Sequence, residues 1–334
     1  MLEKPDLQDE KIIDCLQNEF GLCAVRVAFL PLGADQNTAV YRAIAGDETQ
    51  YFVKLRRGIN DEIAVTLPKF LSDQGIAQII SPLETTTGQL WASLDAFKLI
   101  LYPFVEGRDG READLSDYHW IEFGAALKRI HTAVVPSAMR RRIPSEDYSP
   151  QWREMVKTFL EHLDEGVLDD PVAVKLTGFL KGRYDEILEL VRRADRLAPA
   201  LQARCPEFVL CHSDIHEANI LIDVKGNLYI VDWDNPILAP KERDLMFIGG
   251  GICGVWNQAR QETLFYRGYG PAEVDPIALA YYRSERIVQD IAIYCQQLLL
   301  TKEGGEDREQ SFGYLTSCFL PGGVLEIAMR TEES

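Results

Sequence analysis

The sequence predicts an α+β fold in two lobes, a small antiparallel β-sheet lobe followed by a mainly helical one. Three observations predict it. Short runs of β-branched and aromatic residues crowd the first third, apolar residues at helical spacing dominate from about Ser116 onward, and YPFVEG (102–107) punctuates the passage between them with a proline and a glycine. The expected division is 1–101 for the first lobe, 102–107 for a hinge and 108–334 for the second lobe. A chain of 334 residues has length for two such cores, and 46% hydrophobic with 26% charged residues sits inside the globular range.

In the first lobe Ile12, Ile13, Leu16 and Phe20 mark an opening helix. Strands are expected over 25–30, 39–45, 50–55 and 91–105, the last as two strands turning at Leu94-Asp95. Between the third and fourth, Ile63, Leu67, Phe70 and Leu71 recur at helical spacing over 61–72, with Pro68 an awkward interior residue. In the second lobe Trp120, Phe123, Leu127 and Ile130 form one helical stripe, and Trp152, Met155, Val156, Phe159, Leu160 and Leu163 another. Further helices are expected over 174–197 and 276–300.

Thirty-five basic against fifty-two acidic residues give a net charge of -17, which repels nucleic acid and anionic lipid and favours a small cationic partner without naming one. The seven cysteines (Cys15, Cys23, Cys205, Cys211, Cys253, Cys295, Cys318) contain no C-x-x-C pair and are odd in number, so they read as buried free thiols. With no apolar leader at its polar N-terminus and no run of membrane-spanning length, the chain is expected to be a soluble cytoplasmic protein; its oligomeric state is open.

The chemistry concentrates in HSDIHEAN (212–219) and the following ILIDVKGNLYIVDWD (220–234). Apolar segments 220–224 and 228–231 flank Lys225-Gly226-Asn227 and predict a β-hairpin that brings Asn219 opposite Asp232 or Trp233. An amide oxygen and a carboxylate converging at one end of a hairpin suit Mg2+, which takes hard oxygen ligands and bridges them to phosphates. Asp214, five residues before Asn219, is then the candidate base for an attacking hydroxyl.

This H-x-D-x-x-x-x-N motif, hairpin and aspartate resemble the kinase catalytic loop with its metal-binding aspartate. Ser213 stands where protein kinases carry arginine, Trp233-Asp234 replaces Phe-Gly, and only twelve residues separate Asp232 from Asp244, which points away from protein substrates. With RDL at 243–245, the pattern is similar to the aminoglycoside phosphotransferase family, which also includes choline and homoserine kinases. LPLGADQNTA (30–39), YSPQWRE (148–154), VLCHSDIHEANIL (209–221), APKERDLMFIGGG (239–251) and YYRSERIVQDIAIY (281–294) extend the likeness over nearly the whole chain, toward the 9-type spectinomycin phosphotransferases within that family. The resemblance implies a protein-kinase-like bilobal fold, ATP and Mg2+, and phosphorylation of a hydroxyl on spectinomycin or a similarly shaped cationic aminocyclitol.

By the same resemblance Lys54 of YFVKL binds phosphate, with Glu62 as its pairing carboxylate and Asp61 as the competing choice. The single-glycine loop 32–38 covers the triphosphate, and Asp35 within it is a candidate for facing the substrate instead. Pro103 keeps a carbonyl and Val105 an amide that can meet the adenine edge; Tyr102 and Phe104 flank it, and Leu221 completes the nucleotide set. Asp244 and His212 are expected to brace the catalytic loop, His131 to be a satisfied core histidine, and Gly249-Gly250-Gly251 to be a tight backbone passage. Asp234 and Glu242 are candidate carboxylates for a cationic acceptor. Two rival readings from other classes are a zinc hydrolase using His212, Asp214 and His216, and a nucleotide-binding pseudoenzyme.

Overall fold

The short runs of β-branched and aromatic residues in the first third pair into one antiparallel sheet. In the computed structural model the strands are β1 (Ala24–Leu30), β2 (Thr38–Ala45), β3 (Gln50–Arg57), β4 (Ala92–Leu94) and β5 (Phe97–Pro103), in the order β1-β2-β3-β5-β4. The structure describes residues 3–33, 35, 37–58, 62–163, 170–250, 256, 258–302 and 304–331, with the backbone alone for Glu306. The turn expected at Leu94-Asp95 is present, with Asp95 in the left-handed region at φ 52°. Helix α1 (Asp9–Phe20) buries Ile12, Cys15 and Leu16 in the same core as Ala39, Tyr41, Val53, Leu55 and Leu99 of the sheet.

Helix α2 (Ile63–Asp73) runs through Pro68. A proline inside a helix removes one hydrogen bond and costs about 3 kcal/mol. Burial of Ile63, Val65, Leu67, Pro68 and Leu71 opposes that loss, at roughly 1.5–3 kcal/mol for each large apolar side chain.

The chain divides into two compact units: Met1–Asp114 with Ala133–Ile143 and Ala218–Pro236, and Leu115–Thr132 with Pro144–Glu217 and Ile237–Ser334. The first therefore holds the sheet together with β6 (Gly107–Asp109), helix α3 (Ser137–Arg140) and the predicted hairpin, β7 (Ile220–Asp223) and β8 (Leu228–Ile230). Strand β6 pairs with β7, a third strand that short polar Gly-Arg-Asp gave no reason to expect.

The second unit is built on α4 (Asp117–His131), α5 (Gln151–Glu161), α6 (Pro171–Gly182), α7 (Tyr184–Arg204), α8 (Glu242–Leu245), α9 (Ala259–Tyr269), α10 (Pro276–Leu300), α11 (Gly305–Ser317) and α12 (Val324–Arg330). A two-stranded ribbon joins β9 (Val209–Cys211) to β10 (Ile237–Ala239). One core gathers Val156, Leu160, Leu176, Leu180, Leu190, Ile287, Ile291 and Leu298 around α10. The helical stretch expected over 174–197 is occupied by α6 and α7. Asp170 caps α6 by accepting from the Ala173 amide at 2.8 Å, Pro171 occupies its first turn, and the helix stops at Gly182.

The expectation of buried thiols holds for Cys15, Cys211 and Cys295, while Cys23 and Cys205 are exposed. Both sit just beyond a helix end, Cys205 in the left-handed C-cap of α7 at φ 48°. Cys253, Asp61 and Gly251 lie outside the described residues. Of the glycine run, Gly249 takes φ 66° and a Cβ on Gly250 would stand 1.9 Å from the Met246 carbonyl oxygen, as a tight passage requires.

Helices α4 and α9 touch backbone to backbone. A Cβ on Gly124 would lie 2.1 Å from the Phe265 carbonyl oxygen, and one on Gly268 would lie 1.8 Å from that of Ile121. Gly178, inside α6, has nothing within 4 Å of such a Cβ. Gly268→Ala is therefore expected to destabilise by about 1–3 kcal/mol or more through overpacking. Gly178→Ala should stabilise by about 0.5–1 kcal/mol through helix propensity. Urea unfolding of the two variants checks the opposite signs.

Candidate active site

The β7–β8 hairpin fixes one set of site residues. Its register pairs Ile220 with Ile230, Leu221 with Tyr229 and Ile222 with Leu228, and the Val231 amide donates to the Asn219 carbonyl at 2.9 Å. Asn219 thus stands opposite Val231, not opposite Asp232 or Trp233 as the sequence suggested. The reason is the turn: the Asp223 carboxylate accepts from the Lys225 amide, the Asn227 amide and Asn227 Nδ2 at 2.7–2.8 Å, so Val224 leaves the strand and joins the loop. Asp232 follows at φ 65°, and Trp233 anchors the bend by donating Nε1–H to the Ile230 carbonyl at 3.1 Å. Asn219 is buried, whereas the Asp232 side chain is 46% exposed.

Lys54 meets this hairpin from β3. Its Nζ donates to Asp232 Oδ1 and Asp234 Oδ1, both at 2.8 Å, and Arg56 Nη1 reaches the same Asp234 oxygen at 2.9 Å. Burial works against the Lys54 charge, yet Asp232 and Asp234 raise its pKa above the usual lysine value, so the ammonium stays protonated. Burial raises the Asp234 carboxyl, and although Lys54 and Arg56 pull it down, the Asp232 charge keeps the net shift upward.

Two expectations change here. The Lys54–Glu62 pair gives way to Lys54 with Asp232 and Asp234, while Glu62, at the N-cap of α2, lies 3.4 Å from Arg142. Asp234, expected to draw a cationic acceptor, is committed to the two strand cations.

On β5, Tyr102 is in register with Phe52 and packs edge-to-face on it at 6.4 Å, while Arg42 lies 4.7 Å over the Phe104 ring. Pro103 and Val105 line a cavity of about 510 Å3 together with Lys69, Ile79, Leu83 and Tyr229. Lys54, Asn219 and Asp232 do not line it. Asp35 closes its own loop, accepting from the Asn37 amide at 2.8 Å and from Thr38 Oγ1 at 2.7 Å.

The second unit supplies the loop after β9. Buried Asp244 on α8 accepts the His212 amide at 2.9 Å and the Ser213 amide at 2.7 Å, and His131 Nε2 lies 2.9 Å from its Oδ2. His131 Nδ1 is in turn 2.7 Å from Tyr269 Oη. Burial opposes ionisation of Asp244, but His131, His212 and these amides hold it below the usual carboxylate range. Ser213 takes φ 71°, a conformation costly outside glycine. Its own amide and that of His212 before it are the ones Asp244 receives.

Asp214, the candidate base, is met by Arg286 Nη1 at 2.6 Å and by His216 Nε2 at 3.6 Å, both on Oδ1. Burial raises its pKa, but Arg286, His216 and His212 more than offset that and hold the carboxyl well below the usual range. Burial pulls His216 down, and the Asp214 carboxylate lifts it to a net raised value. Arg286 Nε also pairs with Asp290 one turn on, at 3.1 Å.

Glu242, expected to face an acceptor, is instead buried; it pairs with Lys241 at 2.9 Å and accepts the Asp275 amide at 3.0 Å, ahead of α10. Nor do His212, Asp214 and His216 gather as a zinc site. Among the described residues the His/Cys/Asp/Glu cluster of ligating geometry is His131, Cys211 and Asp244, within 4.8 Å. There burial and the Asp244 charge raise the Cys211 thiol well above its usual pKa, and its Sγ lies 3.6–3.7 Å from two backbone carbonyls, which disfavours a metal thiolate.

Sequence reasoning missed Arg56, Arg286 and Asp290. Arg56 had a signal, since it stands two residues after Lys54 on the same strand face. Arg286 and Asp290 read only as an i,i+4 helix pair, because contact with Asp214 spans 72 residues.

Comparison with known proteins fits this geometry. The APH phosphotransferase enzyme family model matches residues 28–279. The solved structure of spectinomycin phosphotransferase APH(9)-Ia in complex with ADP and spectinomycin is 39% identical, covering 99% of this chain and 100% of that one, with a TM-score of 0.92. Its AMP-bound complex is 38% identical over 98% and 99%, with a TM-score of 0.88. Protein StrN of Streptomyces griseus is 26% identical over 226 residues, 65% of this chain and 67% of that protein. The fold is the protein-kinase-like, bilobal α+β fold of these enzymes. The chain belongs to the APH phosphotransferase family and is an enzyme that transfers phosphate to a hydroxyl group.

Proposed function

We propose that this enzyme uses ATP to phosphorylate a hydroxyl of a cationic aminocyclitol, spectinomycin being the first acceptor to test. The observation that carries the reading is the ion pair from Lys54 to Asp232 at 2.8 Å, beside Asn219 on the hairpin. It joins a phosphate-binding cation to a carboxylate that has a hard amide ligand as its neighbour. The substrate follows from a relative 39% identical over 99% of the chain that was solved with ADP and spectinomycin. The net charge of -17 favours such a cation over a polyanion.

In this reading Asp214 accepts a hydrogen bond from the acceptor hydroxyl, aims its lone pair at the γ-phosphorus and takes its proton as the new oxygen–phosphorus bond forms and the bond from that phosphorus to the β–γ bridging oxygen breaks, releasing ADP. Lys54 steadies the α and β phosphates, with Arg56 beside it on the same strand face. The Pro103 carbonyl and Val105 amide meet the adenine edge, with Tyr102 and Leu221 packing around the ring. The oxygen donors of Asn219 and Asp232 fit Mg2+, which, when bound, supplies charge neutralisation on the phosphates. Asp35, on the loop that closes over itself, is a candidate contact to acceptor or triphosphate. ATP as donor implies work in the cytoplasm. Among the described residues no helix is long and apolar enough to cross a membrane.

Phosphate transfer measured on spectinomycin, several aminoglycosides, choline and homoserine should show spectinomycin as the preferred acceptor; efficient transfer to another with none to spectinomycin would overturn the substrate assignment. Asp214→Ala should cut kcat by roughly 10²–10⁴ while leaving ATP affinity nearly unchanged, and wild-type turnover in that variant would remove Asp214 as the base. Asp232→Ala is expected to weaken Mg-nucleotide binding and turnover together, read by titrating Mg2+ at fixed ATP. An unchanged Mg2+ dependence would exclude Asp232 as a metal ligand.

A further inference from the structure

Asp214 sits on a short irregular loop, and a carboxylate there has two torsions to settle before it can meet a hydroxyl at a useful angle. Asp244 fixes the loop's backbone, through its contacts to His212, Ser213 and His131. The Asp214 side chain needs a hold of its own, and α10 carries one. Arg286 Nη1 lies 2.6 Å from Asp214 Oδ1, and Arg286 Nε lies 3.1 Å from Asp290. The guanidinium also rests 5.8 Å from the centre of the Phe247 ring.

We propose that Arg286, held by Asp290, is the positioning residue for the Asp214 carboxylate: it ties the proposed base to the rigid helix α10 through a carboxylate–guanidinium–carboxylate chain. The inference rests on the assignment of Asp214 as base. Three features support a positioning role over an incidental ion pair. An isolated exposed pair contributes little, but here Asp214, Arg286 and Asp290 are 28%, 24% and 22% exposed and form a chain rather than a pair. Arg286 leaves α10 among Val288, Ile287 and Ile291, which are fully or almost fully buried, so its backbone is fixed by a packed apolar core. The planar fork of arginine holds two carboxylates in a set geometry, which a lysine ammonium does not.

A cation on a base lowers its basicity, and this one does so. In phosphoryl transfer the transition state is loose and little proton abstraction precedes it, so orientation outweighs basicity. The charged groups facing Asp214 in this unit are Arg286 and Asp290 from α10, and His212, His216 and Glu217 from its own loop. Of these, Arg286 brings a permanent positive charge to hydrogen-bonding distance of the carboxylate.

The test compares the wild type with Arg286→Met, Arg286→Lys and Asp290→Asn, using spectinomycin and ATP. Arg286→Met should lower kcat about 10- to 100-fold with KM for ATP within about twofold and an unchanged melting temperature, and the acid limb of its kcat–pH profile should move to higher pH. Asp290→Asn should lose less, and Arg286→Lys should recover part of the loss. A kcat for Arg286→Met within about threefold of wild type, an acid limb that stays in place, or a loss matched by lowered melting temperature and ATP affinity would each overturn the proposal. Failure of the wild type to phosphorylate any acceptor in the panel sinks the kinase reading and this inference with it; wild-type turnover with an undiminished Arg286→Met sinks the inference alone.

Discussion

The Asp244 carboxylate is the constraint on which the loop at 212–214 depends. It lies fully buried and accepts the amides of two successive residues, His212 and Ser213, the second of which is held at φ 71°. A left-handed serine is unfavourable by itself, and an unpaired buried carboxylate is worse. Each tolerates the other: the strained turn presents its amides to the carboxylate, and the carboxylate makes the strained turn the stable one. His131 closes the arrangement with a third contact to Asp244, so the loop is set by groups that are not themselves part of the chemistry.

The hairpin of the first unit solves a related problem with local means. Asp223 captures its own turn through three hydrogen bonds, Trp233 pins the exit, and the register between them decides which residues stand at the open end. Charge then does the rest. Lys54 is shared by Asp232 and Asp234, and Arg56 adds a second cation to Asp234, giving two cations and two carboxylates gathered on one face of β3. Such a set has no net charge of its own, so each buried ion has an opposite partner.

Much of this was legible in the residues. Short runs of β-branched and aromatic residues marked the sheet, helical spacing marked α1, α4, α5 and α10, and Gly226 between two apolar runs marked the hairpin. The spacing of HSDIHEAN and its hairpin singled out the loop proposed to be catalytic. What could not be read were side-chain destinations. The hairpin register slipped because Asp223 prefers to cap a wider turn, a choice made by a carboxylate and three donors rather than by hydrophobic pattern. Glu62, Asp234 and Glu242 were assigned by proximity in sequence, but Arg142, Arg56 and the Asp275 amide, far away in the chain, claim their carboxylates. Arg286 is the same case seen from the other side: a helix surface residue by its spacing, a neighbour of Asp214 by the fold.

The glycines at the crossing of α4 and α9 have a mechanical consequence. Where two helices meet through bare backbone there is no layer of side chains to yield, and the pair behaves as one stiff strut. His131 closes one member of that strut and Tyr269 the other, and the hydrogen bond between them spans the same junction. Any shift of one helix past the other would thus be felt at His131, and from there at Asp244 and the turn it restrains, which gives positions far from that turn in the chain a direct hold on the backbone that carries Asp214.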